Sequence, residues 1–281
     1  MNQHPQRADV SRDGNYASDA VTCDLMERSP VHSSRIYKVT VVLPLHNEEE
    51  NIKSVCIELV EALQSAGYYP SVLLVDDGST DRSLIEAEAL ASSYDQISYV
   101  SFSRNFGKEA ALMAGMIEAG DDFDALAYMD SDGQHDPRDL VKMLRTAEHT
   151  EVDLVCGARV DRSYQTSVQR CLTNRFYALF HTLTDQIIEE GVGDFNVLRP
   201  NVVNILRSLS EEHLFMKGLI AWVGFDRKIV PIKIRPRVGG EAKSSTRKMI
   251  KLASGAFLSF SGWPLRVWSV GSGPIDVRRA I

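Results

Sequence analysis

Short runs of β-branched residues alternate with longer amphipathic stretches from residue 38 to residue 157, and this alternation limits the fold more than any other feature. The runs predict strands at 38–44, 71–75, 97–102, 124–129 and 153–157. The stretches between them predict helices at 48–67, 81–93, 108–120 and 138–147. Strands joined by helices of this length form right-handed crossovers. We therefore expect an α/β protein with a doubly wound, mainly parallel sheet and flanking helices.

The alternation is looser after residue 157. It predicts further helices at 166–184, 202–209 and 215–223, and strands at 194–198 and 227–235. The first 35 residues are polar and contain few large apolar side chains, which is typical of a flexible tail. We interpret the chain as a tail at 1–35, one α/β domain at 36–235 and a basic, amphipathic end at 236–281.

Composition and charge exclude several classes of protein. Hydrophobic residues at 44% and charged residues at 25% exclude collagen-like, coiled-coil and wholly disordered chains. The net charge of −7 gives no general attraction to nucleic acid, so we expect no such partner. The 4 cysteines lack metal-site spacing and the first residues lack a signal-peptide core. These features predict reduced thiols in a cytoplasmic protein.

Basic residues concentrate in residues 227–251. This segment carries nine basic side chains and one acid, a net charge of +8 against −15 for the rest of the chain. It is either a solvated basic face or a site for anions. The stretch from 252 to 270 is apolar but contains Pro264 and Arg266. That composition favours a segment on a membrane surface, or a buried helix, over a membrane span.

Polar residues follow four of the predicted strands at the point where each strand ends. They are Asn47, Glu48, Asp76, Asp77, Arg104, Lys108, Asp130 and Asp132, and Pro44 ends the first of these strands. The carboxyl ends of parallel strands lie at one edge of a sheet, and ligands of open α/β sheets bind there. Neither the GxGxxG nor the GxxxxGK[ST] phosphate loop is present. The sequence therefore predicts a nucleotide site that holds phosphate in another way.

Two acidic residues after the fourth strand have the spacing of a cation site. Asp130 and Asp132 can direct two carboxylates at one hard cation that also binds substrate phosphates, and Gln134 can add an amide oxygen. A surface turn is the alternative, because acidic residues before a glycine are common in turns.

The other strand-end residues also have two interpretations each. Asp76 and Asp77 can accept hydrogen bonds from a base or a ribose. The same turn can instead serve as a helix cap through residues 79–81. Arg104 and Lys108 can neutralise phosphate or pair with nearby acids, and the sequence does not decide between these roles.

Seven motifs occur in an order that resembles one enzyme family. They are PLHNEE, VDDGSTD, SRNFGKEAALMAG, MDSDGQHDP, GDFNVLRP, FMKGLIAWVGF and GGEAKSS. The order, from about residue 39 to residue 266, is similar to that of family 2 glycosyltransferases in the branch that transfers sugars to polyprenyl phosphates. Two of the motifs, SRNFGKE and FMKGLIAWVGF, most resemble the bactoprenol glucosyltransferases. The resemblance implies a GT-A fold and metal-dependent transfer of a hexose, most simply glucose, from a UDP-sugar to a polyprenyl phosphate.

The resemblance also implies which residues bind the donor. It implies a nucleotide pocket lined by Pro44, Asn47 and Glu48, with Asp77 on the uracil. It implies a Mg²⁺ or Mn²⁺ site made of Asp130, Asp132 and Gln134. A bound cation and basic side chains would stabilise the charge that develops on the leaving UDP.

The acceptor side is assigned by the same resemblance. Asp194 faces the acceptor, where it orients the acceptor or assists proton removal; a capping role in the turn after Gly193 is the alternative. Arg237 and Lys243 meet the diphosphate or the lipid phosphate. With Asp132 these three residues form the expected catalytic set. The basic segment would then face anionic lipid headgroups.

The carboxyl-terminal sequence departs from the family pattern. Relatives of the bactoprenol type continue into two membrane-spanning helices, whereas residues 271–281 do not resemble that continuation. We expect a peripheral enzyme on the cytoplasmic face of the cell membrane that serves cell-envelope polysaccharide synthesis, and we leave a homo-oligomer open. The alternatives are a mannosyltransferase that uses GDP-mannose, a transferase with a soluble saccharide acceptor, and a nucleotide-sugar-binding protein with little turnover.

Overall fold

The structure is a computed structural model that describes residues 35–159, 192–209 and 216–236. The predicted tail, the predicted helix at 166–184 and the end of the chain from Arg237 lie outside the described residues. Arg237 and Lys243 therefore stay sequence predictions, as do the proposed domain boundaries.

The described residues form seven strands and six helices. The strands are β1 (Lys38–Leu45), β2 (Tyr69–Asp76), β3 (Ile97–Ser101), β4 (Ala125–Tyr128), β5 (Leu154–Arg159), β6 (Val192–Leu198) and β7 (Arg227–Ile232). The helices are α1 (Ile52–Ser65), α2 (Ser83–Ser93), α3 (Lys108–Glu118), α4 (Pro137–Thr150), α5 (Pro200–Ser208) and α6 (Met216–Trp222).

Several predicted elements begin or end at other residues than expected, and two of these differences are informative. The helix predicted from residue 48 begins at Ile52, because the Glu48 carbonyl accepts hydrogen bonds from the N–H groups of Asn51 and Ile52 in a turn. The strand predicted to extend to residue 235 ends at Ile232, and only Ile234 beyond it forms an isolated β-bridge. Both differences concern element ends, where local hydrogen bonds compete with the regular pattern.

The seven strands form one sheet in the order β3-β2-β1-β4-β6-β5-β7. Among the described strands, β6 alone runs antiparallel to its neighbours, β4 and β5, and the other adjacent pairs are parallel. The predicted α/β class with a mainly parallel sheet and flanking helices is confirmed. Because β6 runs in the opposite direction, its first residues lie at the edge where β1, β2 and β4 end.

Apolar side chains pack on both faces of the sheet. Along β1, Val41 and Leu43 belong to the core on one face, together with buried residues of α1 and α4. Val42 between them belongs to the core on the other face, together with buried residues of α3, α5 and α6. This alternation follows from the two-residue period of a strand. The helices therefore cover both faces, as a doubly wound sheet requires.

The described residues contain two cysteines, Cys56 and Cys156, and both are buried. Burial raises the pKa of Cys56 to about 12. In the described part of the chain, none of the helices combines the length and the apolar character that a membrane crossing requires.

One glycine sets the distance between α3 and the sheet. A Cβ atom at Gly115 would collide with the Val42 side chain of β1 and would lie 3.1 Å from the Val75 side chain of β2. The absence of a side chain at Gly115 therefore lets α3 pack closely on both strands. This helix begins at Lys108, so its position also fixes where that lysine lies.

We expect Gly115→Ala to lower the free energy of unfolding. Overpacking a core with one methyl group lowers the free energy of unfolding by about 1–3 kcal/mol. Replacing glycine by alanine inside a helix raises it by about 1 kcal/mol. The net loss should be on the order of 1 kcal/mol, measured by urea denaturation. In a Val42→Ala background the collision is relieved, so the same substitution should become neutral or stabilising; an equal loss in both backgrounds would contradict the packing argument.

Candidate functional site

The turn after β1 connects to the turns after β2 and β4. Asn47 has a positive φ of 57°. Its N–H donates to Ser79 Oγ at 3.0 Å and its Oδ1 accepts from the Thr80 N–H at 2.7 Å. The Pro44 carbonyl accepts a hydrogen bond from Ser131 Oγ at 2.8 Å. Two predicted pocket residues thus lie at one edge of the sheet, with the ends of three strands joined there.

Glu48 belongs to the same turn. Its carboxylate accepts from Asn51 Nδ2 at 2.9 Å, and its N–H donates to Ser83 Oγ at 2.7 Å. These bonds tie the beginning of α1 to the beginning of α2. The predicted contact of Glu48 with a nucleotide stays a prediction.

Asp76 is the last residue of β2, Asp77 follows it, and both are buried. Asp76 accepts from the Ser79 N–H at 3.1 Å and from Ser101 Oγ at 2.9 Å. Asp77 accepts from the backbone N–H groups of residues 106 and 107 at 2.6 and 3.0 Å. The two carboxylates therefore hold the turn after β2 and the loop before α3. This is a supporting role, and recognition of a base or ribose by either residue stays a prediction.

The loop before α3 packs directly on Gly78. Gly78 has a φ of 61°, and a Cβ atom there would collide with the backbone of Arg104 and Asn105. The Arg104 guanidinium lies 4.5 Å from the centroid of the Phe106 ring, which is a cation–π contact. The structure shows this contact for Arg104, and its predicted role on phosphate stays a prediction.

Lys108 lies between two acidic residues that come from different strands. Its ammonium is 2.5 Å from Asp130 Oδ1 and 2.7 Å from Asp194 Oδ2. Lys217 Nζ, from α6, lies 3.9 Å from Asp194 Oδ1. Asp130 follows β4, and Asp194 lies at the start of β6. Because β6 is antiparallel, Asp194, which we predicted on the acceptor side, lies close to Asp130, which we predicted as a metal ligand. Lys108 forms an ion pair with both.

These ion pairs keep the central groups charged. Burial alone would lower the pKa of Lys108, but Asp130 and Asp194 outweigh burial and raise it. Burial alone would raise the pKa of Asp130, but Lys108 and His135 hold it well below its usual range. The pKa of Asp194 is likewise lowered by Lys108 and Lys217 against the effect of burial. At neutral pH Asp130 and Asp194 are therefore carboxylates, and the Lys108 group between them is an ammonium.

Sequence reasoning missed Glu109, the residue after Lys108. Its Oε2 accepts from the Met216 N–H at 2.9 Å, which connects the start of α3 to the start of α6. Burial, and then the nearby charge of Asp194, raise the pKa of Glu109 to about 7. Glu109 lies in the SRNFGKEAALMAG motif and Lys217 in the FMKGLIAWVGF motif. The motifs therefore contained both residues, but no spacing indicated that they meet near Asp194.

The loop after β4 contains the three predicted metal ligands. Asp132 is buried, and its Oδ1 accepts from the Gln134 N–H at 3.1 Å. Within the described ranges there is no cluster of three or more histidine, cysteine or acidic side chains that could hold an ion. Mg²⁺ usually takes one or two carboxylates and completes its coordination with water and substrate phosphates. The carboxylates of Asp130 and Asp132 are the right donors for that mode of binding.

His135 of the same loop packs against a ring of the core. Its ring centroid lies 4.6 Å from that of Phe195, and its Nε2 lies 3.8 Å from Asp130 Oδ2. His135 therefore holds this loop against the core through its ring.

We expect Glu109→Gln to change how stability depends on pH. The pKa of Glu109 is about 7 in the folded chain against an ordinary value of 4.5. As pH rises from about 4.5 to 7 the unfolded chain therefore ionises this group before the folded chain does, which lowers the stability of the folded state. A glutamine keeps an acceptor for Met216 and does not ionise. Relative to the wild type, the variant should gain on the order of 3 kcal/mol in unfolding free energy across that range. A difference that is constant with pH, measured by urea denaturation, would contradict a neutral buried Glu109.

A solved structure with the same fold contains both a nucleotide sugar and a metal. Glucosyl-3-phosphoglycerate synthase from Mycobacterium tuberculosis, solved with Mn²⁺, UDP-glucose and phosphoglyceric acid, superposes with a TM-score of 0.54. The match is 18% identical and covers 80% of this chain and 78% of that one. At this level of identity the likeness concerns the fold, which is that of the GT-A glycosyltransferases.

Sequence comparisons reach closer relatives. The prophage bactoprenol glucosyl transferase homolog of Escherichia coli K12 is 35% identical over 232 residues, which cover 83% of this chain and 75% of that protein. The bactoprenol glucosyl transferase of Shigella phage SfV is 36% identical with the same coverage. The family model described as glycosyl transferase family 2 matches residues 40–197, more than half of the chain. The chain therefore belongs to glycosyl transferase family 2 and is a glycosyltransferase.

Proposed function

We propose that this enzyme transfers a glucosyl group from UDP-glucose to a polyprenyl phosphate, with Mg²⁺ or Mn²⁺ held by Asp130, Asp132 and Gln134. The observation that carries the proposal is the identity of 35–36% over 232 residues with proteins named for glucosyl transfer to bactoprenol. The charged groups at the edge of the sheet supply the chemistry that such a transfer needs.

The donor side must stabilise a leaving nucleoside diphosphate. Negative charge develops on the diphosphate as its bond to the sugar breaks, and fixed cations lower the energy of that state. Lys108 lies at this edge with its pKa raised, so it remains an ammonium at neutral pH. When bound, a divalent cation would supply further charge neutralisation at the diphosphate. Asp77 on the uracil, with Pro44, Asn47 and Glu48 around it, completes the donor pocket that we propose.

The acceptor side needs orientation more than it needs a base. A phosphate monoester is already anionic at pH 7. Asp194 is paired with two lysines and has a lowered pKa, which suits a fixed carboxylate better than a strong proton acceptor. Its Oδ1 is buried and has no hydrogen-bond partner among the described residues. We propose that Asp194 and Lys217 orient the acceptor phosphate, Lys217 by attracting it.

The basic segment would carry this arrangement to a membrane surface. Residues 227–251 carry a net charge of +8, and anionic headgroups attract each basic side chain by about 1 kcal/mol near a surface. Arg237 and Lys243 in that segment would contact the diphosphate or the lipid phosphate. The enzyme would then act as a peripheral protein on the cytoplasmic face, where the polyprenyl phosphate is presented.

A donor screen tests the sugar, the base and the acceptor together. We expect lipid-linked product from UDP-glucose and a short-chain polyprenyl phosphate in the presence of Mg²⁺ or Mn²⁺, and loss of product with a chelator. GDP-mannose should give no product; transfer from it would instead identify a mannosyltransferase. Binding of UDP without product from any donor would identify a nucleotide-sugar-binding protein and overturn the proposal.

We expect Asp132→Asn to lower kcat by at least about 100-fold, a loss typical of removing one electrostatic group from a transition-state site. The substitution is isosteric and leaves an oxygen for the Gln134 N–H, so the melting temperature should change little. Asp122→Asn is the matched control, because the Asp122 side chain is 87% exposed in the loop before β4. Turnover by the wild type that is unaffected by chelation, or equal effects of both variants, would count against the metal role.

A further inference from the structure

The chain leaving β7 returns to the loop that carries the proposed metal ligands. Ile234 forms an antiparallel bridge with His135, and the Arg235 N–H donates to the Gln134 carbonyl at 2.8 Å. The exit from the last strand of the sheet is therefore bonded to the segment that directly follows Asp132. No sequence pattern predicted this contact, because residues 134 and 235 are far apart along the chain.

The Arg235 side chain strengthens this connection. Its guanidinium binds Asp136 Oδ2 at 2.8 Å and Glu58 Oε2 at 2.8 Å. The other oxygen of Asp136 accepts from the Arg138 N–H at 2.9 Å and caps α4. One guanidinium thus connects α1, the start of α4 and the exit from β7, at the end of the loop opposite to Ser131.

We propose that Arg235 is a positioning residue for glycosyl transfer. It holds the start of the acceptor-binding segment, by which we mean the part of the basic segment from Arg237 onward, against the loop of Asp130 and Asp132. The inference rests on the proposed function, in which Arg237 contacts phosphate. Arg237 is only two residues beyond Arg235 along the chain, so whatever fixes Arg235 also limits where the acceptor-binding segment can start. Transfer depends steeply on the alignment of the reacting groups, so a small displacement of that segment should lower the rate strongly.

A purely stabilising role predicts a different result. The side chains of Arg235 and Glu58 are 35% and 52% exposed, and ion pairs this accessible contribute little to folding stability. Loss of the guanidinium should therefore leave the melting temperature nearly unchanged. If Arg235→Gln slows the reaction with the acceptor and leaves the melting temperature unchanged, Arg235 acts by positioning the acceptor-binding segment.

The test is a kinetic comparison of Arg235→Gln with the wild type. We expect the KM for polyprenyl phosphate to rise, or kcat to fall, by about 10-fold. The affinity for UDP in the presence of Mn²⁺, measured by calorimetry, should change by less than about twofold. Arg235→Lys should restore part of the loss, because an ammonium can still bind one of the two carboxylates.

Arg138→Gln is the matched control. The Arg138 side chain is 86% exposed and lies 3.9 Å from the same carboxylate, that of Asp136, but makes no contact with the exit from β7 among the described contacts. We expect its kinetics to equal those of the wild type. Equal losses in Arg138→Gln and Arg235→Gln would overturn the positioning role.

A double-mutant cycle tests whether the effect passes through Arg237. Adding Arg235→Gln to Arg237→Gln should cause no further loss if Arg235 acts by placing Arg237. The proposal would be overturned if the rate losses of the two single variants multiply in the double variant. It would also be overturned if Arg235→Gln leaves the reaction with the acceptor unchanged.

A separate measurement distinguishes failure of the positioning role from failure of the proposed function. If the wild type forms no lipid-linked glucose, the proposed function fails. The contact between Arg235 and the loop after β4 is then tested by amide hydrogen exchange at residues 130–136. Faster exchange there in Arg235→Gln than in Arg138→Gln would support it, and equal exchange would overturn it.

Discussion

Asp130 and Asp194 are two carboxylates at neighbouring strand ends, and like charges in a partly buried site oppose folding unless a cation lies between them. The Lys108 ammonium supplies that charge at 2.5 and 2.7 Å. Removing one partner of such a cluster leaves an uncompensated buried charge. The loss of folding free energy is then larger than the net stabilisation that the intact cluster provides. The charge balance of these two carboxylates therefore depends on where α3 places its first residue. Gly115 sets that position, because it lets α3 approach β1 closely.

The turns around this cluster form a continuous hydrogen-bonded frame. Asp77 holds the loop before α3, and Asn47 holds the turn after β2. Ser131 ties the turn after β4 to the end of β1. These polar groups bond to backbone rather than to one another, so each one orders a segment of main chain. The result is a set of turns around the site that are bonded to one another through main-chain groups.

Local patterns predicted most of the fold and part of the site. The runs of β-branched residues located every strand of the sheet that the structure describes, and the Asp130–Asp132 spacing located a pair of carboxylates at a strand end. The direction of β6 was not predictable in this way, because a strand pattern is the same in both directions. The bond from the Met216 N–H to Glu109 joins residues 107 positions apart, and it depends on how α6 packs. Lys217 was missed for the same reason, although its motif was recognised.

The ammonium between Asp130 and Asp194 has a consequence for how this enzyme is assembled in a cell. Domains built around structural zinc fold only once their ion arrives. Here the polypeptide supplies its own counter-charge, so folding does not have to wait for a divalent ion. Under the proposed function, the concentration of the divalent ion would then govern how fast each molecule works, and not how many folded molecules are present.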